Sequence, residues 1–511
     1  MARDRNFPQL STFFRALAFL VAVCCLTWVA VLWWWQRTGH SAQVQDLVLY
    51  LGMLPIAVAL ALLGLRWVWR RAAARQAAAA GAALASAPGP AAAVDAGAAG
   101  GAEAQARHAT LQLVMFGARS VAGEQAGDLL EAAAAGKPLP APDAELTNDD
   151  GLPVLCARMR DQLLDLDVVR SEMEPLFPLV QQRLPDAQAT ETPEHVLRAL
   201  AALKPAMETP RDFLWSQHQA ALMALEGGGA SMARLPPAQR PPLPALRVLL
   251  GWPAHWSPWD QALARTWVEH CLQGQACDLT KGYAVSYAAV SGAGEELWLR
   301  ADQMGHGATR TPWLLVAGCD SDVDPVRVDA LAGAQRLYDA SARPGGCIPG
   351  EAAAALLLAP ADWAPPADAD MPTVRLHRPA LLRRDKSVEA AGRVGHRELG
   401  EACAQSLEAA QIPAADLGMV VCDADQHSPR STELYGMAVD ALQHLDPVED
   451  MRLLGKVTGH TGTASALLVL AAAAEAVKSL KKPVLALCVG DSHLRMALVL
   501  KPSEAADGAG S

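Results

Sequence analysis

Glycines 459 and 462 flank a histidine, His460, in the run Gly455-Lys-Val-Thr-Gly-His-Thr-Gly-Thr-Ala-Ser-Ala, with Lys456 four residues upstream. An imidazole at a helix start can move a proton or steady an oxyanion. Beside a thiolate whose pKa is lowered by a helix dipole, it would support acyl transfer. The thiols available for such a pair are Cys422 and Cys319. The plainer assignment is a packing histidine, because the glycines beside it fit close backbone approach without any chemistry.

Other groupings carry less. Asp320-Ser-Asp-Val-Asp-Pro opens like a calcium loop, but Pro325 takes the place of the required glycine and Leu331 that of the bidentate glutamate. His270, Cys271 and Cys277 lack a second pair at zinc spacing. The chain contains no Gly-x-Ser-x-Gly elbow, P-loop or dinucleotide fingerprint. No cofactor and no metal is expected on this reading.

The elements that must position His460 lie in the second half of the chain. Short apolar runs at 246–252, 313–321, 351–359 and 419–425 read as strands, alternating with helices at 259–272, 326–338, 433–444 and 464–480. That alternation marks a layered α/β domain. VLALCVG, the turn Asp491-Ser492 and HLRMALVLK close it as an antiparallel hairpin. Upstream, 110–116 reads as a strand, and 128–135, 153–184, 193–203 and 212–225 read as helices. A Pro/Gly-rich break from 227 to 244 then marks a boundary. The expected regions are a transmembrane hairpin (1–71), an Ala/Gly-rich flexible linker (72–108), a small, mostly helical α/β region (109–243), a layered α/β domain (244–502) and a disordered tail (503–511).

Three segments of the α/β domain resemble the thiolase-like superfamily, and within it the β-ketoacyl synthases. Gly345-Gly-Cys-Ile-Pro-Gly-Glu-Ala-Ala resembles the turn that feeds a buried strand, and the His460 run resembles the segment supplying an active-site histidine at a helix start. Val489-Gly-Asp-Ser-His resembles the closing glycine-rich turn. The resemblance covers about half the chain and implies paired halves, a C-terminal thiolase-like fold and a homodimer formed through a sheet edge. It also implies that the matching site is degenerate. The family lysine stands five residues before the histidine, whereas Lys456 stands four before. The first family histidine falls where Cys422 and Asp423 stand, ahead of Glu433, with His427 out of phase. The family nucleophile precedes the strand 313–321 by one helix, and residues 283–310 hold no cysteine. Cys271 and Cys277 lie too far upstream, and Cys319 and Cys347 fall in segments that the family uses for packing.

Composition bounds the partners. A net charge of -11 on 511 residues disfavours nucleic acid and anionic lipid surfaces. Ten scattered cysteines suit a reduced compartment. Residues 13–35 and 47–65 are long and apolar enough to span a bilayer, with Trp33, Trp34, Trp35, Trp67 and Trp69 at their ends. Arg3, Arg5 and Arg15 precede the first span, and Arg66, Arg70, Arg71 and Arg75 follow the second, which puts both termini in the cytoplasm of a bacterial inner membrane. The expected function is a membrane-tethered, non-catalytic scaffold or adapter that binds a protein partner. The order of anchor, small region and degenerate body is similar to that of type VI secretion accessory proteins, nearest to adapters that load phospholipase effectors. The alternative is an acyl-thioester-handling enzyme using His460 with Cys422 or Cys319.

Overall fold

The computed structural model describes Arg37 and residues 108–503, except 137, 149, 188–189, 228–241, 275–276, 307–311, 361–362, 366–372 and 391. Apart from Arg37, the expected membrane hairpin lies outside the described residues, as do nearly all of the linker and nearly all of the tail.

The body is built on one eleven-stranded mixed sheet. Its strands in chain order are β1 Leu111–Ser120, β2 Ala245–Trp252, β3 Ala284–Ser291, β4 Trp313–Ser321, β5 Glu351–Ala359, β6 Val374–Leu376, β7 Ala380–Arg383, β8 Met419–Cys422, β9 Met451–Leu453, β10 Val484–Cys488 and β11 Leu494–Pro502. They fall into two halves with one strand order. In the first half β2 runs parallel to β3 and β4, β4 pairs antiparallel with β5, and β5 antiparallel with β1. In the second half β8 runs parallel to β9 and β10, β10 pairs antiparallel with β11, and β11 antiparallel with the interrupted pair β6 and β7. Numbered within each half, both sheets read 3-2-4-5-1. The halves join where β1 pairs with β6, at Leu111↔Leu376, Gln112↔Arg375 and Leu113↔Val374.

Burial on both faces explains the unbroken apolar runs. Along β5, Ala352, Ala354, Leu356 and Leu358 enter one core cluster, while Ala353, Ala355, Leu357 and Ala359 enter another. A strand covered on both sides loses the apolar/polar alternation of a half-exposed one. Beside α1 (Ala126–Ala134), two helices at equivalent places share the first cluster: α3 (Gly294–His306), between β3 and β4, and α6 (Ser465–Leu480), between β9 and β10. They approach closely, since a Cβ on Gly294 would lie 2.9 Å from the Ala466 nitrogen. The segment Gly462–Leu480 is long and apolar enough to cross a membrane by composition, yet 72% of it is buried inside the protein. Here it is a core helix.

The second cluster packs under α2 (Glu194–Gly227) and the helix Pro258–Cys271, which starts at a Ser257/Asp260 capping box. A third packs under α4 (Arg397–Ala410) and α5 (Ser428–Ala441) in the other half.

The upstream helices differ from expectation in two places. Residues 153–184 were expected as one helix, but they begin as a strand, Pro153–Cys156, paired with Ala141–Thr147, and become α-helical at Leu166–Met173 and Phe177–Arg183, with 3-10 turns at Asp161–Leu163 and Glu174–Leu176. The expected helices 193–203 and 212–225 are one, α2, which continues through Pro205 and Pro210. Each proline removes a backbone donor and strains the helix. Leu197, Leu200, Leu203, Met207 and Leu214, all at most 2% exposed, hold that helix on the sheet. The described residues from 108 onward form one compact unit. β1 runs in the middle of its sheet, so the division placed at 243 separates segments of a single sheet.

Candidate functional site

A cavity of about 690 Å³ opens where the two halves meet, between the start of α3 and the turns leading into α6. His460 lines it. Gly459 adopts φ +63°, and a Cβ there would lie 2.8 Å from the Ile348 carbonyl oxygen. The His460 amide donates to that same carbonyl at 2.8 Å, which fixes the histidine backbone against residues 348–349. Its Nδ1 lies 3.0 Å from Asp322 Oδ2. The Nε and Nη2 of Arg327 hold the other Asp322 oxygen at 2.8 and 2.6 Å.

Electrostatics follow from that geometry. Interaction with Cys347 is the largest influence raising the His460 pKa; burial opposes it, and hydrogen bonds to Asp322 and Cys347 add to it, so the pKa stands well above the usual histidine range. Burial alone would raise the Asp322 pKa, but its bonds to His460 and Arg327 outweigh that and hold it well below the carboxylate range.

The expected nucleophiles are elsewhere. Cys422 ends β8 and Cys319 lies in β4; both are fully buried, and burial pushes both thiols well up. Neither lines the cavity. Lys456 is exposed on the short helix Gly455–Thr458 and does not line it either. The three aspartates of the calcium-like run have separate tasks. Asp320 accepts from the Thr463 amide, Asp322 binds His460, and Asp324 caps the helix Pro325–Gly333 and binds His195. Glu433 is consumed by a buried ion network described below.

The residue that sequence reasoning misplaced is Cys347. It was expected in a packing segment, but it sits half-buried in the turn before β5 with Sγ, an Asp322 oxygen and a His460 ring nitrogen all within 4.8 Å of one another. The signal for this was the Gly345-Gly346 pair with Pro349-Gly350, a set of turn formers around a cysteine.

A carboxyl group stands at the start of α3. Glu295 is 2% exposed, lines the cavity and lies in the first helical turn. Burial, then the Asp423 charge, push its pKa up to about 7. Asp423 follows β8 and accepts from the Val489 and Gly490 amides at 2.6 and 3.1 Å; burial raises its pKa too. Cβ atoms on Gly455 and Gly490 would collide with Asp423, at 2.3 Å from its carbonyl oxygen and 2.8 Å from its Oδ2.

The Glu295 shift sets a pH dependence. Its folded pKa lies above the ordinary 4.5 of a glutamate, so between about pH 4.5 and 7 the folded chain binds more protons than the unfolded one. Its contribution is therefore lost as pH rises through that window. Glu295→Gln is expected to stabilise the protein at pH 8, by roughly 2–3 kcal/mol at most, and to change little at pH 4. Urea unfolding at both pH values checks this, and equal effects at the two would refute the assignment.

Known structures offer loose likenesses. A β-ketoacyl synthase from Burkholderia phymatum STM815 overlays at TM-score 0.48 and 11% identity, covering 77% of this chain and 100% of that one. A ketosynthase in complex with its chain length factor from Xenorhabdus doucetiae gives TM-score 0.45 and 14% identity, with 77% and 98% covered. A 3-oxoacyl-[acyl-carrier-protein] synthase III from Aquifex aeolicus VF5 gives TM-score 0.36 and 12% identity, with 77% and 100% covered. The chain matches no protein-family model and no curated relative. These overlaps are too loose to carry function, and the thiolase-like reading stands on the paired halves of the sheet.

Proposed function

We propose that this chain is a thiolase-like protein that does not condense carbon chains and works as a membrane-tethered scaffold for a protein partner. One observation supports this above the rest: at the cavity end of α3, Glu295 faces Asp423, where a condensing enzyme needs a thiolate and an imidazole. Claisen chemistry develops negative charge at that place, and two carboxyl groups put there neither the nucleophile nor a positive group to balance that charge. The lining as a whole leans the same way, with Glu295, Asp320, Glu389, Asp423, Asp425 and Asp491 against Arg327, Arg336 and Arg430. The apolar spans at 13–35 and 47–65 support tethering with both termini in the cytoplasm. In the finer version of this reading, the partner is an effector awaiting type VI export.

The test is an incubation of the purified full chain with acyl-thioester and malonyl-thioester donors, read by product analysis and intact mass. No carbon–carbon product and no acyl adduct are expected, and the chain should sediment with membranes only while residues 1–71 are present. A stoichiometric adduct lost on Cys422→Ala, Cys319→Ala or Cys347→Ala would establish the enzyme instead.

A further inference from the structure

We infer that Cys347, His460 and Asp322 form a binding site for a thiophilic divalent cation, with zinc the ion their donors fit and one coordination position open to the cavity. This goes beyond the scaffold reading and does not depend on it.

The three donors come from chain positions far apart and are fixed by backbone, not by side-chain chance. The Asp322 amide donates to the Gly350 carbonyl at 3.0 Å, the His460 amide to the Ile348 carbonyl at 2.8 Å, and the Cys347 amide to the Arg336 carbonyl at 2.6 Å. Each tie anchors a ligand to the turn preceding β5 or to the segment beside it. Sγ, ring nitrogen and carboxylate oxygen all lie within 4.8 Å of one another. His460 Nδ1 and Asp322 Oδ2 are 3.0 Å apart. Two ligands at about 2.0 Å from a tetrahedral ion stand roughly 3.3 Å apart, so little movement would admit the ion.

The donor set selects the metal class. A thiolate with an imidazole and a carboxylate suits zinc, whereas calcium and magnesium take oxygen alone. Arg327, bonded to the second Asp322 oxygen, orients this ligand as outer-shell partners do in metal sites.

A second observation points to an occupant. His255, Asp320 and Asp322 also present donor atoms within 4.8 Å of one another, so a second set overlaps the first at Asp322. Asp320 is 5% exposed, lines the cavity, and its Oδ1 has no hydrogen-bond partner. A buried polar oxygen left unpaired is costly, and water held in the open position of the ion would donate to it. His255 lies on the same cavity wall, beside Asp320 and Asp322. Three protein ligands and one open position are the pattern of a zinc site that handles a small molecule, in contrast to a closed structural site.

The experiment uses the full chain, reduced and stripped of metal, titrated with Zn²⁺ by calorimetry and with Co²⁺ by absorption. One ion per chain is expected, with a near-ultraviolet sulfur-to-cobalt band. Cys347→Ser should abolish the band and weaken zinc binding at least about 10-fold, and His460→Gln should weaken binding as strongly while retaining the band at saturating cobalt. Cys271→Ser, at a half-buried thiol outside the cluster, should leave both readouts unchanged. Unfolding midpoints within a few degrees of the parent would show that the variants fold. No stoichiometric zinc binding by the parent, or binding indifferent to Cys347→Ser and His460→Gln, would sink the assignment. Because the readout is the ion alone, failure here leaves the condensation assay untouched.

Discussion

Glu433→Ala is expected to cost about 3–5 kcal/mol of folding stability, among the largest losses that a single substitution in this protein can produce. Glu433 lies on α5 at 0% exposure and receives Arg495 Nε at 3.0 and 2.9 Å, Arg495 Nη2 at 2.8 Å and Arg384 Nη1 at 2.6 Å. Arg495, on β11, is itself 0% exposed, and Arg384 is 9% exposed. Removing the carboxylate leaves two guanidiniums facing each other inside the protein. The penalty is that of uncompensated buried charge, which exceeds the net contribution of the intact network. Equilibrium urea unfolding provides the measurement. A loss below about 1 kcal/mol would mean that water reaches the arginines.

Arg198→Ala is expected to cost a similar amount in the other half. Arg198, 1% exposed on α2, grips Glu351 through Nε at 2.9 Å and Nη2 at 2.8 Å, the Met159 carbonyl at 3.0 Å and Asp161 at 2.7 Å. Glu351, 1% exposed at the start of β5, also accepts from Ser321 Oγ at 3.1 Å and the Met159 amide at 2.5 Å. The truncation strands that carboxylate and frees the 159–161 segment from the sheet, for roughly 3–5 kcal/mol. The double variant Arg198→Met with Glu351→Leu removes both charges and should recover most of the loss in the same unfolding assay. If the double variant is as unstable as Arg198→Ala, shape and hydrogen bonding, not charge, govern the site.

The fold was legible where burial is simple. β2, β4, β5 and β10 are short apolar runs between turn formers, and each was placed to within a residue or two because both faces of those strands are covered. β3, with the sequence AVSYAAVS, is half-covered and lies at the end of the sheet, so it offers no strong apolar run to mark a strand. The same holds for α3, where Gly294-Glu295-Glu296 opens a helix whose apolar face is Leu297, Trp298, Ala301 and Met304. The strand at 153–156 was hidden because its valine and leucine also fit a helical spacing, and only pairing with 141–147 selects the extended form. At the cavity, His460 could be singled out by its flanking glycines. Around Cys347 the turn formers are visible, but its meeting with Asp322 and His460 brings together residues distant in the chain, which local pattern does not encode.

The seam between the halves has a consequence for the architecture. β1 sits at the midline, bonded to β5 on one side and to β6 on the other, although its residues precede every other strand of the sheet. It is a keystone laid first: a chain opening at 244 would keep ten of the eleven strands and lose the one on which both arches rest. The described segment 108–110 therefore leads straight into the crown of the vault, where the two arches meet.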